Sequence, residues 1–125
     1  MANECIPFFE PGRRLNGHAT AAVIGKRFVA ISGNRQSDGT ISVAPAAAAS
    51  KAFAVAVQDA AIGEKPGLLR GPGFIVPVTA GAAIAAGAQV EVGTAGQAIT
   101  LASGIAVGVA ITAATSGTDA QIALY

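Results

Sequence analysis

The stretch Phe53-Ala54-Val55-Ala56-Val57 puts Phe53, Val55 and Val57 on one side of an extended chain and Ala54 and Ala56 on the other. That is the period-two alternation of a β-strand. Residues 40–44 repeat it with Ile41 and Val43. Residues 74–79 read as a further strand, and Pro77, which has no N–H to give to a ladder, confines it to a sheet edge or a bulge. Four more strands are expected at residues 89–92, 98–101, 105–112 and 120–125, separated by Gly or Ser-Gly. Upstream, residues 19–24 and 28–32 flank Gly25-Lys26-Arg27, a connection of hairpin type.

The intervening pieces are short and broken. Residues 46–51 are Ala-rich and open to either a turn or one or two turns of helix, with Pro45 before them. Residues 63–73 hold Pro66, Gly67, Gly71 and Pro72 and read as irregular; residues 80–87 read as a turn and a brief helical segment. The sum is eight or nine short strands in an all-β chain. Laying residues 54–61 over residues 107–114 gives a faint internal repeat, with chance similarity between Ala/Val-rich strands as the rival explanation.

Composition agrees. The chain has 125 residues, the size of one domain, with 16 Gly and 6 Pro to punctuate it. The hydrophobic fraction is 52% but the aromatic fraction is 5%, so the core is built mostly of Ala, Val and Ile, which fill thin layers. Residues 1–18 lack strand or helix periodicity and read as an N-terminal arm; residues 19–125 read as a single β-domain. In the arm, Ile6, Phe8, Phe9, Arg13 and Arg14 form the candidate partner-binding set, because interface centres are enriched in aromatic side chains and Arg.

Several function classes lose support. A formal net charge of +1 offers no basic face for nucleic acid. Residues 92–118 are uncharged and long enough to span a bilayer, but their Gly, Ser and Thr content and their alternation read as strands, so no membrane partner is expected. The N-terminus lacks the basic and apolar regions of a signal peptide, and the lone Cys5 suits a reducing cytoplasm.

Chemistry is equally sparse. His18 is the only His, Cys5 lies in the arm, and the seven acids are dispersed without metal-site spacing, so no catalytic residue, metal or cofactor is expected. Gly71-Pro72-Gly73 precedes a strand and carries a Pro where a phosphate cradle needs an N–H. Gly25-Lys26 is followed by Arg27, and Thr20 stands where a Walker loop has its first Gly, so ATP binding is not indicated.

The order and spacing of particular segments resemble the capsid cement, or decoration, proteins of tailed bacteriophages, a group sometimes labelled as recombinases. The segments are Ala54-Val55-Ala56-Val57-Gln58-Asp59-Ala60-Ala61-Ile62-Gly63-Glu64, Phe74-Ile75-Val76-Pro77-Val78 and Ile84-Ala85-Ala86-Gly87-Ala88-Gln89-Val90, then Ile105-Ala106-Val107-Gly108-Val109-Ala110 and Asp119-Ala120-Gln121-Ile122-Ala123-Leu124. The resemblance implies a compact β-barrel or a β-clip or β-tulip-like fold, and a homo-oligomer, most simply a trimer. It also implies a non-enzymatic role: binding the major capsid protein on the outside of the virion and bridging capsomers, after synthesis in the bacterial host cytoplasm. The competing expectation is a small β-clip-like module that holds a sugar or peptide, which needs an aromatic-lined groove.

Overall fold

The computed structural model describes residues 14–125, and these form ten short strands with one 3-10 turn at Thr94–Gly96. The first five are β1 (Leu15–Ala19), β2 (Phe28–Ile31), β3 (Ile41–Pro45), β4 (Ala54–Ala56) and β5 (Gly67–Leu69). They close into a barrel in the order β1-β3-β2-β4-β5, with β5 returning to pair antiparallel with β1. The second five are β6 (Ile75–Thr79), β7 (Gln89–Val92), β8 (Ala98–Thr100), β9 (Gly108–Ala110) and β10 (Asp119–Leu124), in the order β6-β10-β9-β7-β8. A single parallel bridge, Ala80 to Ala98, brings the ends of this second sheet's two edge strands together. Among the described residues no helix is long and apolar enough to cross a membrane.

The two halves repeat one hydrogen-bonding plan at a constant spacing within each segment. Val23 and Ala60 exchange amide-to-carbonyl bonds of 2.9 and 3.0 Å, and Ile84 and Ala114 exchange the same pair at 2.9 Å each. Ala19 donates to Glu64 and accepts from Gly63, as Ala80 donates to Thr118 and accepts from Gly117. Strand registers match as well: Phe28 faces Val55 as Gln89 faces Val109, and Leu68 faces Ala56 as Ile122 faces Ala110. Even the left-handed turn residues coincide, Lys26 (φ 63°) with Gly87 (φ 81°) and Gly63 (φ 88°) with Gly117 (φ 84°). The internal repeat is therefore structural, with Ala54 lying on Gly108, one residue away from the match that the sequence suggests.

Local chemistry sets the connections. Between β2 and β3, Asp38 Oδ1 accepts from the Thr40 amide (3.0 Å) and hydroxyl (2.7 Å) while Gly39 takes φ 92°, an Asx-type turn. Pro77 lies in β6, an edge strand of the second sheet, as a proline requires.

Other expectations need correction. Residues 19–24 and 28–32 do not form a hairpin: β1 pairs with β3 and β5, and β2 pairs with β3 and β4. Strand β1 opens at Leu15, ahead of where the alternation starts in the sequence. β5 lies inside the stretch expected to be irregular, because the amide of Gly17 bonds the Pro66 carbonyl (2.8 Å) and that of Val57 bonds the Gly67 carbonyl (2.9 Å). Residues 46–51 form a turn, and residues 80–87 hold a turn and two isolated bridges, at Ala80 and Ile84; neither stretch is helical.

Burial shows how the halves join. Inside the barrel, Ala19, Val29, Val43, Ala54, Ala56 and Leu68 form one cluster. Phe28 and Val55, on the outward side of the same strands, belong instead to the cluster of the second unit, with Val76, Val78, Val90, Val92 and Ile122. Strands β2, β4 and β5 are thus covered on both faces, and the two units make one packed body.

Candidate functional site

Of the five residues expected to bind a partner, Ile6, Phe8, Phe9 and Arg13 lie outside the described residues; Arg14 is described and exposed at the start of β1. Its aliphatic stem runs beside Gly67, where a Cβ would sit 3.4 Å from the Arg14 Cδ. Gly67 thereby makes room for a long cationic side chain to lie along β5. Because β1 uses both of its edges in a closed barrel, the chain before it meets no free strand edge there.

The titratable groups serve turns and seams. Asp59 accepts from the Gly25 amide (2.8 Å) and Glu64 from the Ala61 amide (2.7 Å), each holding a turn. Lys26 joins Asp119 across the two units at 2.8 Å, and Lys65 joins Asp38 at 2.6 Å. His18 is half-buried in β1, opposite Ser42 of β3. Glu91 is buried on β7 with Oε2 unpaired, beneath Gly104, where any Cβ would collide with its carboxylate and with the Ala49 backbone. Among the described residues no three His, Cys, Asp or Glu come together as a metal site.

The Asp38 carboxyl is held well below the usual carboxylate range, first by the Lys65 ammonium and then by the Thr40 amide and hydroxyl. A lowered folded value means that its stabilising effect is present above the unfolded carboxylate value, about pH 4, and is lost as pH falls toward the folded value. In an NMR titration the Asp38 carboxyl should stay ionised through about pH 3 to 5. In Lys65→Met its midpoint should rise toward the ordinary value; an unchanged midpoint would remove Lys65 as the main cause.

Where the units meet there is a groove of about 120 Å³ lined by Phe28, Phe53, Arg70, Ile105, Leu124 and Tyr125. The Arg70 guanidinium lies 4.4 Å from the Phe53 ring centroid and its Nε donates to the Phe53 carbonyl (3.0 Å). The Tyr125 hydroxyl donates to Gln89 Oε1 at 2.9 Å. Small-molecule sites usually enclose about 300–1,000 Å³. This groove is smaller than that, and two of its polar groups, the Arg70 guanidinium and the Tyr125 hydroxyl, already have partners within the fold.

What remains is a closed barrel packed on a second five-stranded sheet, with Asp38, Asp59, Glu64 and Asp119 all bonded within the fold. Residues 9–125 match the phage cement protein family. The chain belongs to that family. This cement protein is also similar to the head fiber gp8.5 N base of bacteriophage phi29, with 25% identity and a TM-score of 0.74 over 90% of this chain and 92% of that one. No curated protein sequence matches it. Family membership gives the cement protein a structural role at a phage head and a place in the virion. The signal for this lay in the order of the strand segments; the twin-unit seam around Phe28, by contrast, had no local sequence signature.

Proposed function

We propose that this cement protein binds the outer surface of the phage head and stabilises it by bridging neighbouring capsomers of the major capsid protein. It acts without chemistry, as a homo-oligomer, most simply a trimer. The observation that carries the reading is the family match over residues 9–125. The similarity to a head fiber base supports it, as does the engagement of Asp38, Asp59, Glu64 and Asp119 in turns and ion pairs of the fold itself.

In this reading Ile6, Phe8, Phe9, Arg13 and Arg14 contact the capsid, with the aromatic rings filling apolar recesses and the arginines meeting carboxylates. Each contact is weak, and an oligomer multiplies them through effective concentration. The protein is made in the host cytoplasm and added to the head from outside. Purified protein should co-sediment with heads that lack it, saturating at a copy number that matches the symmetry axes of the shell. Deleting residues 2–14 should leave the circular dichroism spectrum and melting temperature nearly unchanged while head binding is lost. Full binding by the truncated protein would sink the assignment of the arm.

A further inference from the structure

Two cations stand at the groove between the units with no acid to meet them. Lys26 and Lys65 are neutralised by Asp119 and Asp38. Lys51 and Arg70 both line the groove and are exposed, and neither forms an ion pair with any described residue. Among the described residues no acidic side chain lines the groove. Its wall from the second unit, residues 105–107 and 124–125, carries no charged side chain either.

Arg70 is held in position from one side only. Its Nε donates to the Phe53 carbonyl at 3.0 Å and its guanidinium carbon lies 4.4 Å from the Phe53 ring centroid. The N–H groups of its two terminal nitrogens have no partner among the described residues. A guanidinium fixed in this way can present paired N–H groups to both oxygens of a carboxylate, and little further side-chain freedom is lost on binding. The surroundings are apolar: Ile105 and Tyr125 are 47% and 54% exposed, and Phe53 is half-buried beside Arg70. Aromatic and aliphatic area next to an Arg is the composition of an interface centre.

We propose that the groove receives an acidic side chain of the major capsid protein, with its carboxylate between Arg70 and Lys51 and its aliphatic stem against Phe53, Ile105 and Tyr125. Charge selects the occupant, because two cations without a local acid favour an anion. A second copy of the chain is a poor source of one: among the described residues Asp38, Asp59, Glu64 and Asp119 are bonded within their own fold, and Glu91 is buried. Position agrees with the partner. Leu15 of β1 stands opposite Leu68 of β5 in an antiparallel pair, so the arm enters the barrel at the end of β5 that carries Arg70. The inference rests on the capsid-binding reading above and adds a second anchor to it.

The test is co-sedimentation of the full chain with heads that lack it, over a salt series. Wild type is compared with Lys51→Ala/Arg70→Ala, with Lys51→Glu, and with Ala85→Glu/Ala86→Glu, a pair of exposed positions outside the groove. Both double variants lower the net charge by the same amount. Wild-type binding should weaken with salt. The groove double variant should bind at least about 30-fold more weakly and with a shallower salt dependence, and Lys51→Glu about tenfold more weakly, while the control stays within about twofold of wild type. If Arg70→Ala lowers the melting temperature, Lys51→Glu decides, since that ammonium has no partner in the described fold. Wild-type affinity in both groove variants overturns the groove and leaves capsid binding standing. Equal losses in the control assign the effect to net charge and also overturn it. Loss of self-association by the groove double variant in sedimentation equilibrium, with head binding intact, gives the groove to a second copy instead. Absence of wild-type binding to any head overturns both this inference and the reading on which it rests.

Discussion

Phe28→Ala should destabilise the protein by about 3–5 kcal/mol, the usual cost of removing a fully buried phenylalanine. Phe28 is among the largest fully buried side chains and packs with Val55 and Ala46 against the core of the second unit. It also lines two small grooves, of about 120 and 80 Å³, so its loss would open one toward the other rather than allow the site to collapse. Urea unfolding should show a midpoint shift equivalent to that cost with little change in slope. If the variant instead unfolds in two steps, the seam is what makes the units cooperative. A cost below about 1 kcal/mol would mean that the seam contributes little and that each unit stands alone.

Gly108→Ala should cost about 3 kcal/mol, the upper end of the range for overpacking a filled core. A Cβ at Gly108 would sit 2.6 Å from Ile122 Cγ2 and 2.7 Å from the Ala123 carbonyl oxygen. Neither neighbour can yield easily, since Ile122 is wholly buried and the carbonyl belongs to β10. The first unit carries Ala54 at the corresponding position, and there the counterpart of Ile122 is Leu68. Leucine has no Cγ2 on its Cβ, so the double variant Gly108→Ala/Ile122→Leu should recover part of the loss. Gly33→Ala provides the contrast, because its Cβ would meet nothing nearer than 3.9 Å, and it should stay within about 0.5 kcal/mol of wild type. Equal melting temperatures for Gly108→Ala and Gly33→Ala would refute the packing argument.

Strands with a clean alternation were legible in the sequence. Residues 53–57, 74–79 and 89–92 each announce a strand, and β4, β6 and β7 lie there. β5 was not legible, because Pro66 and Gly67 are turn formers by local rule and only the bonds from Gly17 and Val57 hold the segment extended. The connection from β1 to β2 was misread for a related reason: a short Gly-containing link allows a hairpin, but both edges of β1 are taken by β3 and β5. The repeat was visible but displaced by one residue. Alternating Ala and Val score alike in adjacent registers, whereas a one-residue slip in a sheet sends every side chain to the opposite face.

The arm illustrates the opposite balance. Phe8, Phe9, Arg13 and Arg14 attract attention by composition alone. The described structure adds that Arg14 is exposed and that β1 has no free edge beside it. The order of segments from Ala54 to Leu124 carried the family, because strand order and spacing survive when individual motifs are weak.

By itself, then, the amino-acid sequence determined an all-β chain of short strands, poor in groups for chemistry and without the charge for nucleic acid. Those properties follow from side-chain type and period two, which are local. Only the tertiary structure decided which strands pair, that two barrel-like units repeat one plan, and that Phe28 and Val55 are buried while Ile75 and Ile111 are not. Pairing and burial depend on residues far apart in the chain that meet only when loops close, so no window of sequence contains them.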